Sequence, residues 1–132
     1  MCSSDLKPNL PPGAASSFFC DVLKEGDIID AKAPCGHFNL DLEKTAPVVL
    51  IGGGVGITPM LCMANAIAAT GSKRECWLFF GARCGADHIH REELDKLRQY
   101  ENIQIHVCYS RPRPQDAKDK DYQHEEIGRA HV

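Results

Sequence analysis

Four consecutive apolar residues, Val48 to Ile51, run into the glycine-rich stretch Gly52-Gly53-Gly54-Val55-Gly56 and then into Ile57-Thr58-Pro59. An uninterrupted apolar run that ends in glycine predicts a strand buried on both faces, the kind found in parallel sheets. Downstream, Pro59 to Ala69 sets Leu61, Ala64, Ile67 and Ala68 at helical spacing, and Gly71 stops that helix. Cys76 to Phe80 forms a second strand. Asp87 can cap a helix reaching about Tyr100, with Ile89, Leu94, Leu97 and Tyr100 near one face. Ile103, Ile105 and Val107 alternate with polar residues in a third strand. Strands alternating with helices of this length predict an α/β fold, a partial doubly wound parallel sheet of βαβαβ type.

The pattern upstream is weaker. Residues 8–15 form a Pro/Gly-rich loop, and Ser16 or Ser17 can N-cap a short helix through about Lys24 that Gly26 ends. Asp27 to Ala33 alternates as a strand centred on Ile28 and Ile29, Pro34 to His37 is a turn, and Phe38 to Leu42 is extended. Residues 43–46 read as a linker, and the tail 111–126, rich in Pro, Asp and Lys, reads as a loop. The outermost residues carry a different signal. Codons for Ile127 to His131 can be chosen whose antisense strand encodes Met1 to Asp5, with GTG as the start codon. Residues 1–6 and 127–132 are therefore expected to be sequencing artefact at both ends of a gene fragment, and they are set aside from fold reasoning.

Composition narrows the classes. Hydrophobic content of 43% and charged content of 25% are ordinary for a globular domain. A formal charge of −3 offers no attraction to nucleic acid or an anionic membrane. No apolar run approaches the roughly 20 residues that span a bilayer, and no secretory leader is visible, so a cytoplasmic location is expected. The cysteines at 2, 20, 35, 62, 76, 84 and 108 make no Cys-x-x-Cys, and free, mostly buried thiols are expected. His88-x-His90 has no third ligand nearby and predicts a surface role rather than a metal site, while His37 and His106 have no partner readable from sequence.

Ligands of open parallel sheets bind beyond the carboxyl ends of the strands, and here each such end is chemically loaded. In the first, Gly53, Gly54, Val55, Gly56 and Ile57 offer backbone N–H groups to a diphosphate. Thr58 is placed to N-cap the following helix and Pro59 to occupy its first position. Met60, Leu61 and Cys62 put no carboxylate in the first turn, so the positive end of the helix is left for an anion. No Gly-Lys-Ser/Thr follows, so this is not a P-loop. Gly54-x-Gly56-x-x-Pro59 also departs from the common dinucleotide fingerprint, and the acid expected roughly 20 residues later is missing. The second strand ends instead in Gly81-Ala82-Arg83, where Arg83 can reach a phosphate or stack on adenine. The third ends in Tyr109-Ser110-Arg111-Pro112, where Ser110 and Arg111 can hold a ribose 2′-phosphate, a lean towards NADPH over NADH.

As an ordered set these residues resemble the ferredoxin–NADP reductase superfamily. Gly54-x-Gly56-Ile57-Thr58-Pro59 resembles its pyridine-nucleotide loop, and Phe80 to Arg83 and Tyr109 to Pro112 its two adenosine-side motifs. Gly13-Ala14-Ala15-Ser16, followed by Lys24 to Asp27, is similar to its flavin diphosphate motif, and Pro34 to Phe38 to the segment closing its flavin barrel. The resemblance implies that residues 7–44 are the last piece of a flavin-binding β-barrel and 45–126 an NAD(P)-binding domain. It implies hydride transfer from NADH or NADPH to FAD or FMN, then electron delivery to a haem or iron–sulfur acceptor such as a ferredoxin, globin or oxygenase. Thr58 would lie near the nicotinamide, and Gly13, Ser16 and Ser17 would face the flavin diphosphate. The family's Arg-x-Tyr-Ser/Thr and late Cys-Gly-Pro segments do not occur, so the chain as written is expected to bind flavin poorly and to be inactive alone. Two other classes compete: a regulatory module of the same fold that senses flavin or nucleotide without turnover, and an ordinary Rossmann dehydrogenase. The proline and the missing acid argue against the second.

Overall fold

The computed structural model describes residues 13–125. Residues 1–12 and 126–132, which include the expected artefact ends, lie outside the described residues. Two units are resolved, divided after Gly36.

In the first unit, α1 (Ala14–Ser17) continues into a π-helical turn, Phe18–Val22, and Leu23 ends it in extended conformation. Gly13 occupies the N-cap position, and the Ser17 N–H donates to Gly13 O at 2.9 Å. Ser16 and Ser17 are therefore inside the helix rather than capping it. The strand expected over Asp27 to Ala33 is absent from the described residues: the segment joins no strand ladder there, and Ile28 is 97% exposed. An alternating pattern makes a strand only where a neighbouring strand takes its ladder hydrogen bonds.

The second unit is a parallel sheet in sequence order, β1 (Val48–Gly53), β2 (Cys76–Ala82), β3 (Ile103–Tyr109) and β4 (His124–Glu125). In register, Leu50 pairs with Leu78, Leu78 with Ile105, and Gly53 with Gly81. β1 and β2 are joined by α2 (Ile57–Ala69), β2 and β3 by α3 (Arg91–Leu97). Both helices cover one face of the sheet. Ile57, Leu61, Ala64 and Ile67 of α2 and Leu94 and Leu97 of α3 share a single core with Leu50, Leu78, Phe80, Ile105, Val107 and Tyr109.

Several expectations change. β1 is buried on one face only, since Val49 and Ile51 on the other are exposed and no described helix covers them. α2 begins earlier than expected, with Gly56 at the N-cap. The helix expected from Asp87 starts at Arg91, after a 3-10 turn over Gly85–Asp87 and a left-handed His90, φ 56°. Asp87 does not cap it because its carboxylate is taken by Arg83. The tail beyond residue 111 is not all loop: His124 pairs with Cys108 and Glu125 with Tyr109.

Candidate functional site

The three loaded segments meet at the carboxyl edge of β1, β2 and β3, as parallel pairing requires. In the first, each glycine has its own reason. A Cβ on Gly52 would lie 2.9 Å from Ile57 Cα and 3.0 Å from Gly56 O, so Gly52 lets the first turn of α2 close onto the strand. Gly54 takes φ +51°, the left-handed turn that side chains rarely adopt. A Cβ on Gly56 would meet nothing within 4 Å, and one on Gly53 only Gly81 O at 3.9 Å. These two therefore open space beside the backbone instead of serving the turn.

The other loop residues divide similarly. Ile57 is fully buried, backbone included, and anchors the loop in the core. Val55 is exposed. Thr58, expected at the N-cap, sits inside the first turn with Pro59, and its hydroxyl donates to Val55 O at 3.1 Å. That bond ties the 3-10 turn Gly54–Gly56 to the helix. No acid lies in the first turn of α2, so its positive end is uncompensated from within the helix.

At the ends of β2 and β3, Ser110 N–H donates to Ala82 O at 3.0 Å and Arg111 N–H to Arg83 O at 2.7 Å. The ladder thus continues past both strands and sets Arg83 and Arg111 side by side. Arg83 forks onto Asp87, Nε to Oδ2 at 3.1 Å and Nη2 to Oδ1 at 3.3 Å, and this pairing leads in lowering the Asp87 pKa. The tail braces both loops. The Asp116 carboxylate accepts from Gly85 N–H at 3.2 Å and from Arg113 N–H at 2.7 Å. Asp121 pairs with Arg91 at 2.6 Å, and also accepts from Ala117 N–H.

His88 corrects the surface reading. Its Nδ1 lies 2.7 Å from the Tyr109 hydroxyl, which also accepts from Arg91 Nη2 at 3.1 Å. Which of the two donates in the His88–Tyr109 bond depends on the imidazole tautomer. Nε2 is buried without a partner. Burial, followed by the nearby Arg91 charge, lowers the His88 pKa to about 4, so the ring is neutral at pH 7. Tyr109, fully buried, stacks on Tyr122 at 4.8 Å. Only the spacing of His88 to α3 hinted at this network; the sequence does not show that β3 would carry Tyr109 to it. Breaking the brace with Arg91→Met is expected to lower Tm by about 4 °C, measured by circular dichroism, while Arg91→Lys recovers most of the loss.

Of the six cysteines described as free, Cys76, Cys84 and Cys108 are buried, whereas Cys20, Cys35 and Cys62 are exposed. Among the described residues no helix is long and apolar enough to cross a membrane. Gly13, Ser16 and Ser17 belong to the first unit, and Gly13 and Ser16 are exposed there.

A parallel sheet with an open glycine turn, an acid-free helix start and arginines at the next two strand ends defines a nucleotide-binding α/β domain. The chain belongs to the oxidoreductase NAD-binding domain family, which it matches over residues 50–132, within the ferredoxin–NADP reductase superfamily. It is 39% identical over 116 residues to a flavohemoprotein of Bacillus cereus, covering 87% of this chain and 29% of that one. With a flavohemoprotein of Halalkalibacterium halodurans it shares 40% identity over 109 residues, 82% of this chain and 26% of the relative. The chain thus spans under a third of the length of these relatives. Among solved structures, the cytochrome b5 reductase domain of Ulva prolifera nitrate reductase matches with TM-score 0.66 and 27% identity, covering 94% of this chain and 49% of that one. The flavohem-like FAD/NAD-binding domain of Vibrio cholerae nitric oxide dioxygenase shares the fold, with TM-score 0.67 at 24% identity over 92% of this chain and 48% of that one.

Proposed function

We propose that this chain is the NAD(P)H-binding part of a flavin-dependent reductase that passes hydride from NADH or NADPH to FAD or FMN, and electrons onward to a haem or iron–sulfur acceptor. The observation that carries the reading is the open backbone at Gly53 and Gly56 in front of an α2 start without an acid. Gly54, Val55 and Gly56 would hold the nucleotide diphosphate, with buried Ile57 anchoring the turn beneath them and the helix dipole opposing the charge. Thr58, kept in place by Val55 O, would face the nicotinamide. Arg83, Ser110 and Arg111 would take the adenosine end, as their joined strand ends allow. Gly13, Ser16 and Ser17 would meet the flavin diphosphate. Bound flavin supplies the step from two-electron to one-electron chemistry, and the protein's part is to position the rings. Names of the relatives favour a globin or haem acceptor. Alone, this chain is proposed to bind flavin poorly and to lack reductase activity.

Gly56→Val tests the nucleotide site. The residue has ordinary helical angles, φ −63° and ψ −6°, and open space around its Cβ position, so stability should stay within about 1 kcal/mol. The added side chain would fill the space assigned to the diphosphate. Calorimetric titration of the chain with NADH is expected to show binding weakened at least about tenfold, or 1.4 kcal/mol. Equal affinity in the variant would remove the glycine turn from the site.

A further inference from the structure

β1 stands at one edge of the sheet: among the described residues it pairs with β2 alone. The Val48 N–H donates inward to Glu75 O at 2.9 Å. Alternation along the strand then turns the backbone N–H and C=O of Val49 and Ile51 outward, away from β2. The side chains of both are exposed on the face that no described helix covers. Sheet edges are ordinarily protected by a lysine, a proline, a bulge or a very short strand. β1 runs six residues in unbroken register with β2, and Pro47 stands only before it. No Asp, Glu, Lys, Arg or His occurs from Thr45 to Ser72. We infer that β1 is a self-association surface, on which a second copy of this chain pairs its own β1 antiparallel and joins the two sheets into one.

The outward backbone groups call for an extended backbone as occupant, because only a strand meets N–H and C=O in strand register. Symmetry selects the second copy. A two-fold axis through Leu50, normal to the sheet, sets Val49 opposite Ile51 of the other copy. The two residues then exchange backbone bonds in both directions, and their β-branched side chains meet on the open face. Pro47 has no N–H to carry the ladder further. With no charge on the strand, no like charges are brought together. The helices fit as well. α2 packs on β1 and β2, so its two copies lie two strand spacings apart, about 10 Å, the usual separation of packed helices. Its exposed positions Cys62, Asn65 and Ala69 are uncharged. The opposite edge does not extend the assembly. β4 is two polar residues, Arg98 covers Ile105 O at 3.0 Å, and Gln123 holds both backbone groups of Val107 at 2.8 Å. Association therefore closes at a dimer. One strand and one helix per copy make a small interface, which places the affinity in the micromolar range.

The test is sedimentation equilibrium of the full chain under reducing conditions, with folding checked by circular dichroism. Wild type is expected to dimerise with a Kd of about 10–100 µM. Val49→Lys with Ile51→Lys, and Val49→Glu with Ile51→Glu, set like charges opposite one another across the two-fold axis. Each double variant should weaken self-association at least about tenfold, and an equimolar mixture of the two should recover it. In wild type, amide exchange at Val49 and Ile51 should slow as the concentration rises from about 5 to about 500 µM. A wild-type chain that stays monomeric at about 500 µM overturns the inference. So does a Kd within about twofold of wild type in either folded double variant, or a mixture that associates no more tightly than its parts. Either result moves the contact to another surface, such as the open face or residues 27–33. Where the double variants do not fold, the wild-type amide rates decide, and equal rates at both concentrations overturn the inference.

Discussion

Gly52→Ala is expected to cost about 3 kcal/mol or more, and Gly52→Val to abolish cooperative folding. The new Cβ would stand 2.9 Å from Ile57 Cα, 3.0 Å from Gly56 O and 3.1 Å from Ile57 N, all of them backbone. A flexible side chain could swing aside, but a strand and the first turn of a helix cannot, and Ile57 is itself fully buried. The clash would push α2 off the sheet and strip packing from Leu61, Ala64 and Ile67. Overpacking of this kind costs about 1–3 kcal/mol when side chains can yield, and more when they cannot. Since domains have only about 5–15 kcal/mol in hand, valine should exceed what the fold tolerates. Urea unfolding followed by circular dichroism measures both; a Gly52→Ala midpoint equal to wild type would sink the argument. Gly56→Val, a few residues on, should meanwhile stay folded, which separates the structural glycine from the binding one.

Mild acid is expected to destabilise the chain through His88. Its pKa is lowered from 6.5 to about 4 by burial and then by Arg91. Above pH 6.5 the ring is neutral in folded and unfolded chain alike, and stability is fully present. As pH falls towards 4, the unfolded chain takes up the proton and the folded chain does not, so stability is lost across that window. Below pH 4 both forms are protonated and this contribution levels off. The lowered pKa values of Asp87 and Asp121 act in the same direction, but only below their ordinary 3.8. His106 is lowered as well, by burial first and then by His124. Allowing for partial solvent screening of His88, the loss should be about 2 kcal/mol between pH 7 and 4. Urea midpoints across this range check it, with His88→Gln flattening much of the slope. A slope unchanged in that variant would assign the effect elsewhere.

The strand, turn and helix from Val48 to Ala69 were legible because strong local signals agree there: an apolar run, glycines and a helical stripe. The three strand ends followed, since parallel pairing itself carries Arg83 and Arg111 to one edge. What escaped sequence reasoning depended on distant partners. The Asp27–Ala33 pattern needed a neighbouring strand that the described residues do not supply. β4 is too short and polar, just His124–Glu125, to leave a hydropathy signal. Thr58 and Asp87 look like helix caps by residue type, yet Val55 O and Arg83 compete for them. His88 looked exposed because its burial comes from Tyr109, on β3, and Phe80, on β2.

The braces supplied by Asp116 and Asp121 also set an order of events. They join residues far apart along the chain, Gly85 to Asp116 and Arg91 to Asp121, while the ladders of β1, β2 and β3 need none of the tail. The ladders close spans of similar length, Val48 to Cys76 and Cys76 to Ile103, so what sets the braces apart is their later position along the chain. During synthesis, the loops bearing Arg83 and Arg111 consequently gain their final geometry only after residues 113–121 have emerged, so β1, β2 and β3 can pair first, while their nucleotide edge and β4 are finished last.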